Sequence, residues 1–226
     1  MRQLLLASLL FPLSHVLIAS TPFRAALVHR FGEKRYFLGY SALAAAALVW
    51  LIAAYRQAPA VPLWDAPRWF QHALAPIILT SIILMVGGLT TPNPVVVKSH
   101  KLFDRPEIVR GILRITRNPF FWGVGLTAVA HVIILGDVAA LLGFGSAALL
   151  GLAGAPLLDA KKRRTHGRAW EAFAAATSDI PFLAIIQGRQ RLEWREIGLW
   201  RISVGLGVFL VALALHPALL SACLMD

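Results

Sequence analysis

Cysteine and acidic residues are both scarce in this sequence, and their scarcity excludes several kinds of site. Cys223 is the only cysteine among 226 residues, so the chain has no internal disulfide, no CxxC motif and no thiolate cage for a metal. Asp and Glu together number 11, against 22 Lys and Arg. No HExxH, GxSxG or Walker sequence is present, which removes the motif-based cases for a metalloprotease, a serine hydrolase or a P-loop protein.

The composition indicates a membrane protein. Hydrophobic residues make up 58% of the chain and charged residues 15%, whereas a soluble domain is closer to half apolar and a quarter charged. A net charge of +11 is also typical of nucleic-acid-binding proteins. The basic residues, however, lie in short segments between apolar stretches, so we do not expect a nucleic-acid partner.

The apolar stretches predict an all-α, polytopic transmembrane helical bundle that forms a single domain over residues 1–226. A bilayer core takes roughly 20 apolar residues as a helix. Arg2 before an apolar run resembles a secretory signal, but no A-x-A pattern follows it, so we expect the first span to be retained. Gly136-Asp137 leaves room only for a tight helical hairpin. About six spans are predicted, at 3–20, 38–55, 72–90, 119–135, 138–157 and 198–220.

The basic residues predict the orientation of the spans. Nineteen Lys and Arg residues fall in or beside the first, third and fifth loops, and three (Arg2, Arg56 and Arg68) fall on the opposite side. The positive-inside rule then places those three loops in the cytoplasm and both termini outside. We expect the basic loops to contact anionic lipid headgroups. The loop residues are Arg24, Arg30, Lys34 and Arg35; Lys98, Lys101, Arg105, Arg110, Arg114 and Arg117; and Lys161, Lys162, Arg163, Arg164, Arg168, Arg189, Arg191 and Arg195, with Arg201 just inside the last span.

Two cytoplasmic segments have amphipathic patterns. Residues 105–116 place Ile108, Ile112 and Ile115 on one helical face, as in a basic helix lying on the membrane surface. Residues 159–177 form a second amphipathic stretch with Trp170 and Phe173 as anchors. The two helices either flank spans or close the cytoplasmic mouth of a site inside the bundle. Asn118-Pro119 is a good N-cap and first-turn pair for opening the fourth span.

Histidine is the remaining candidate for chemistry inside the membrane. The predicted spans have no acidic residue beyond the boundary residues Asp137 and Asp159, which argues against a carboxylate proton relay and a His/Glu zinc site. His15 and His131 lie deep in the first and fourth spans, and His72 lies at the outer start of the third. Imidazoles on facing helices in an apolar pocket are suited to haem iron, and Trp122 is among the aromatics leading to His131. By depth alone, His72 matches His131 slightly better than His15 does. We rank His29, His100, His166 and His216 as weaker ligands.

Several long stretches carry a resemblance to the NnrU family of membrane proteins, a relative of zeta-carotene isomerase. They are SHVLIASTPFR (14–24), GLTTPNP (88–94), GILRITRNPFFWGVGLTAVAHVIILGD (111–137) and GRAWEAFAAATSDIPF (167–182), followed by Gly188-Arg189. The resemblance implies a haem b cofactor with His15 and His131 as iron ligands, and His72 stays in reserve. In the isomerase, a cysteine three residues before the second histidine is associated with a switch of haem ligand. This chain has Ala128 there, so the switch is not expected.

The resemblance implies two different functions. NnrU proteins are linked with denitrification and nitric oxide metabolism, whereas the isomerase branch uses haem to isomerise a cis bond in a polyene. A short chain of bacterial character favours the first function, in the bacterial inner membrane, with a nitrogen-oxide pathway protein or an apolar polyene as a partner. The chain is then a haem-dependent isomerase, a redox-related protein or an accessory protein.

Two further functions come from other classes. Arg117-Asn118-Pro119-Phe120 with Gly123 resembles a stretch of membrane methyltransferases that bind S-adenosylmethionine. Those enzymes have an acidic pair before a G-x-x-[YW] segment, whereas Asp159 stands alone before four basic residues. A non-catalytic scaffold or assembly factor, with the basic loops as its docking surface, is the other alternative.

Overall fold

The structure is a computed structural model and describes residues 1–20, 22–95, 102–103 and 108–216. The regular elements of this part are helical, apart from one isolated β-bridge between Pro62 and Asp137. A single 3₁₀ turn spans Gly111–Arg114. The α-helices are α1 Arg2–Ser20, α2 Pro22–Phe31, α3 Glu33–Gln57, α4 Arg68–Thr90, α5 Pro119–Leu135, α6 Val138–Ala176, α7 Leu183–Ile186, α8 Trp194–Ile197 and α9 Leu199–Leu215.

The helical bundle is confirmed, but the count of about six spans is not. Within the described residues, three helices, α3, α4 and α6, are long and apolar enough to cross a membrane, or four if α1 and α2 count as one span bent by 69°. The helices α5 and α9 have 17 residues each. At 1.5 Å per residue they reach about 26 Å, which is shorter than a hydrocarbon core of about 30 Å. Residues 217–220 of the predicted last span lie outside the described residues.

The predicted hairpin between α5 and α6 is confirmed. Gly136 ends α5 with a positive φ of 61°, a left-handed conformation that glycine adopts without steric cost. Asp137 then caps α6, since its side chain accepts a hydrogen bond from the Ala140 amide at 2.7 Å. Glycine also lets the two helices approach closely, because a Cβ at Gly151 would lie 2.7 Å from the Gly125 nitrogen.

The loop between α3 and α4 covers this hairpin and defines one end of the bundle, the hairpin end. The Gly136 carbonyl accepts hydrogen bonds from the amides of Leu63 and Trp64, at 2.7 and 3.0 Å. The Trp64 indole donates to the Ile133 carbonyl at 2.9 Å. These bonds satisfy carbonyl groups at the end of α5 that have no partner within the helix.

The opposite end of the bundle, the basic end, joins the starts of α3, α5 and α9 to their neighbours. The Tyr36 hydroxyl donates to the Ile18 carbonyl, which connects α3 to the end of α1. Arg201 donates to Thr90, which connects α9 to the end of α4. Predicted basic residues Lys98, Lys101 and Arg105, together with His100 and Cys223, lie outside the described residues.

The predicted amphipathic helix at 105–116 is wrong over its described part. Residues 108–110 are not helical, and the 3₁₀ turn at Gly111–Arg114 is a single turn. Ile112 and Ile115 do not face lipid but are buried against Leu84 and Ile197. Gly111 has a positive φ of 57°, which ends any helix extending from the preceding residues.

The second amphipathic segment, 159–177, is helical as far as Ala176 apart from a kink at Gly167, where φ is 48° and ψ is −123°. The part after the kink is a second helical piece that follows the apolar part of α6. Trp170 and Phe173 are buried in a cluster with Val95 and are therefore core residues of the basic end.

Gly136→Ala tests how tightly the hairpin end is packed. A Cβ at this position would lie 2.1 Å from the Trp64 carbonyl oxygen, and the left-handed backbone adds a cost of about 1–2 kcal/mol. We expect a large loss of thermal stability in detergent. Gly188→Ala is the matched control, because Gly188 also has a positive φ but no atom lies within 4 Å of the point that a Cβ would occupy. Equal losses of thermal stability in Gly136→Ala and Gly188→Ala would contradict the close packing of Gly136 against Trp64.

Candidate functional site

His15 and His131 are held in the same way by their own helices. The Nδ1 atom of His15 lies 2.8 Å from the Phe11 carbonyl oxygen, and that of His131 lies 2.7 Å from the Thr127 carbonyl oxygen. Because a carbonyl only accepts hydrogen bonds, Nδ1 carries the proton in both rings. In the neutral form of each imidazole, the lone pair then lies on Nε2, the state in which histidine binds a metal.

His15 lies beside aromatic residues near the basic end. Its ring meets the Phe11 ring edge-on at 4.9 Å between centroids and the Tyr40 ring at 5.8 Å. Tyr40 in turn stacks on Tyr36. The two tyrosines line an apolar cavity of about 290 Å³ between α1, α2 and α3, with Arg35 in its wall.

His131 lies near the hairpin end and has a different set of neighbours. Its ring stacks on Phe144 of α6 with centroids 4.6 Å apart, and His216 lies on another side at 6.4 Å. Thr127, one turn earlier on the same face of α5, has a buried hydroxyl with no hydrogen-bond partner among the described residues. This position therefore combines an imidazole pair with an unsatisfied polar group.

His15 and His131 have neighbours that contact different parts of α3. His15 contacts Tyr40 near the start of α3, whereas Phe144, the partner of His131, contacts Tyr55 near its end. These tyrosines are 15 residues apart in one helix, which is about 22 Å along the axis. Two imidazoles bound to one iron must approach within about 4 Å of each other, twice a metal–nitrogen bond of about 2 Å.

His72, the reserve ligand, is exposed on the first turns of α4. It has no ring contact or hydrogen bond with any described residue. His216, which we ranked lower from the sequence, is the histidine that approaches His131. His131 and His216 both lie close to the hairpin-end termini of α5 and α9. Counting residues from those termini would therefore have placed the two histidines at a similar depth.

A buried polar cluster at the basic end contains the other candidate residues. Arg117 donates to the Asp159 carboxylate from both Nε and Nη2, and the side chains are only 13% and 9% exposed. Asn118 lies at the N-cap position of α5, before Pro119, but its side chain does not cap the helix. Its amide nitrogen instead donates to Asp159 at 3.1 Å and Asp179 at 2.9 Å.

Asp179 is the residue of this cluster that the sequence pattern did not reveal. It lies 61 residues after Asn118 and accepts hydrogen bonds from Asn118 and, at 3.4 Å, from the Trp122 indole. The fold thereby brings a second acid close to Asp159, which stands alone in the sequence pattern. The Asn118 Oδ1 atom is buried without a partner in the described structure, and it faces away from the two acids that its amide nitrogen binds.

A metal ion bound only by protein ligands has no obvious position in the described part of the chain. Within it, no group of three or more His, Cys, Asp or Glu residues could hold an ion. Haem differs because the porphyrin supplies four nitrogens, and the protein then needs to contribute no more than two ligands. The donors at His131 and His216 therefore fit haem iron better than a bare ion.

Asp159→Ala tests whether the buried ion pair stabilises the basic end. The substitution leaves the Arg117 guanidinium buried without its anion, which typically costs about 3–5 kcal/mol. Glu33→Ala is the control, because the Arg24–Glu33 pair is 3.9 Å long and its glutamate is 57% exposed, so it contributes at most about 1 kcal/mol. Thermal unfolding in detergent compares them. Similar decreases in unfolding temperature for both variants would show that the buried pair stabilises the protein no more than the exposed pair does.

Comparisons with known proteins agree with the sequence resemblance. The family described as "NnrU protein" matches residues 3–223. The chain is 37% identical over 95 residues to the chloroplastic 15-cis-zeta-carotene isomerase of Zea mays and 36% identical over 97 residues to that of Arabidopsis thaliana. Each match covers 39% of this chain and 25% of the relative, so the chain matches about a quarter of the length of these relatives. No solved structure matches. The family match extends over nearly the whole chain, which belongs to the NnrU family.

Proposed function

We propose that this chain is a haem b-binding integral membrane protein, with His131 as one iron ligand and His216 as the other. The observation that carries the proposal is the pair of imidazoles with centroids 6.4 Å apart. Two metal–nitrogen bonds of about 2 Å each, with about 1 Å from each nitrogen to its ring centre, give a similar separation. The Thr127 carbonyl supports the same assignment, because it fixes the proton of His131 on Nδ1.

The residues around His131 have defined roles in this proposal. The Thr127 carbonyl orients the imidazole, and Phe144 limits its rotation by stacking on one face. Bound haem would supply a redox-active iron for a small ligand or a polyene. Ala128 has no sulfur that could replace an imidazole, so we expect the ligands to stay the same in both oxidation states.

The role in the cell is the second part of the proposal. We place the chain in nitric oxide metabolism and denitrification, in the bacterial inner membrane with the basic end in the cytoplasm. The excess of basic residues on one side supports this orientation. The alternative within the same family is a haem-dependent cis–trans isomerase, and the names of the plant relatives support the isomerase part of it.

Absorption spectra of the purified protein test the haem proposal. We expect a Soret band and, on reduction, paired α and β bands, as for iron with two imidazole ligands. His131→Ala should remove the haem, and His216→Ala should give the spectrum of five-coordinate iron. His15→Ala should leave the spectrum unchanged, as should the control His72→Ala, because no ring contact joins His72 to another described histidine. A chain without haem would contradict the proposal. A spectrum that changes in His15→Ala but not in His216→Ala would contradict the choice of ligands.

A methyltransferase is the second candidate, and Asp179 is the observation that favours it. The sequence lacks the acidic pair of those enzymes, but the fold supplies two carboxylates beside Arg117 and Asn118. The buried and unpartnered Asn118 Oδ1 could accept a hydrogen bond from a ligand amine.

Equilibrium binding of S-adenosylmethionine tests this second candidate. Binding to the purified chain should weaken by about tenfold in Asp179→Asn, because a charge-assisted hydrogen bond contributes about 1.5–3 kcal/mol. Asp65→Asn removes the same charge outside the cluster and is the control. A chain that does not bind the compound eliminates methyl transfer. If haem is absent as well, a non-catalytic scaffold or assembly factor becomes the better explanation.

A further inference from the structure

The geometry points to a second binding site, at the basic end, for the phosphate group of an anionic lipid. A polar cavity of about 260 Å³ lies between the end of α4, the 3₁₀ turn and the start of α9. It is separate from the proposed haem ligands, which lie at the hairpin end. Its lining residues are Thr91, Pro92, Arg110, Gly111, Glu196 and Arg201.

Two arginines in the wall have unused hydrogen-bond donors. The Arg110 side chain is exposed and donates no hydrogen bond to a described residue. Arg201 donates from Nε and Nη2 to Thr90 and from Nη1 to Ile197. A guanidinium has five N–H donors, so about two of those on Arg201 are left over. Guanidinium groups with free N–H donors match the geometry of phosphate oxygens.

Glu196, the acid in the wall, does not cancel the charge of both arginines. Its carboxylate accepts two hydrogen bonds from Arg114, both at 2.8 Å, and a third from the Gly111 amide. The Arg114 guanidinium, ahead of weaker effects, lowers the pKa of Glu196, so the carboxyl group is ionised at neutral pH and already paired. Arg110 and Arg201 therefore give the cavity a net positive charge.

The surface around the cavity favours a lipid over a soluble phosphate. Leu89, one residue before Thr90, is 73% exposed, and Leu199 and Trp200, just before Arg201, are 80% and 51% exposed. An amphipathic residue such as Trp200 is typical of the level of the headgroups in a bilayer. A phosphate bound in the cavity would thus have its acyl chains next to apolar side chains on α4 and α9.

Lipid titrations of the full chain in detergent, followed by native mass spectrometry, test this site. We expect phosphatidylglycerol to bind more tightly than phosphatidylcholine, whose choline group the arginines would repel. Arg110→Ala should weaken phosphatidylglycerol binding by about tenfold, since it removes a charge-assisted hydrogen bond of about 1.5–3 kcal/mol. Arg195→Ala is the matched control, because it removes the same charge from exposed α8 without lining the cavity.

Three outcomes would overturn the site. The first is equal binding of the two lipids, and the second is an equal loss of binding in the two arginine variants. The third is displacement of phosphatidylglycerol by glycerol 3-phosphate at similar concentrations, which would identify a soluble phosphate as the occupant. Unchanged thermal unfolding of Arg110→Ala would show that a loss of binding does not come from misfolding. None of these lipid-binding measurements requires haem, so their outcome does not depend on whether the proposed haem ligands are correct.

Discussion

The buried ion pair between Arg117 and Asp159 is the interaction on which the arrangement of α5 and α6 depends. A guanidinium and a carboxylate with little exposure must stay paired, because an unpaired buried charge is costly. The pair fixes the start of α5 against the middle of α6, while the turn at Gly136 fixes the other ends of both helices. With both ends held, the face of α5 that carries His131 has one orientation relative to Phe144 of α6.

The same constraint separates two kinds of chemistry along the bundle. Charged side chains gather at the basic end, where Asn118 connects Asp159 to Asp179. The imidazole pair of His131 and His216 lies near the hairpin end, where His131 contacts Phe144 and the Thr127 carbonyl. Tyr40, near the start of α3, contacts His15, whereas Tyr55, near its end, contacts Phe144, the stacking partner of His131.

Local patterns predicted the helices and the hairpin well, because their causes are local. Apolar runs form helices in this chain, and Gly136 followed by Asp137 provides a left-handed residue and an N-cap at the point where α5 must reverse. The isoleucine pattern at 105–116 was misleading because it is also a purely local signal. Periodicity alone does not report that Gly111 breaks the helix or that Glu196, 85 residues away, binds its amide.

The site was predictable only in part, because its partners are distant in sequence. His15 and His131 were identified as intramembrane imidazoles, but their pairing depends on which helices face each other. Asp179 and His216 gain their significance from contacts with Asn118 and His131, which lie 61 and 85 residues away in the sequence. The number of spans also depends on where each helix ends. The apolar composition of α5 and α9 predicted spans, but does not reveal that these helices are shorter than the other candidate spans.

We propose that His131 shares a cofactor with His216 and not with His15, and an electron-spin distance measurement between His15 and His131 tests this most directly. Nitroxide labels would be attached to His15→Cys and His131→Cys in a Cys223→Ser background. We predict a separation of about 20 Å or more, from the 15 residues of α3 between Tyr40, which contacts His15, and Tyr55, which contacts the Phe144 neighbour of His131. A separation of about 10 Å would place the two histidines on one cofactor and contradict the account.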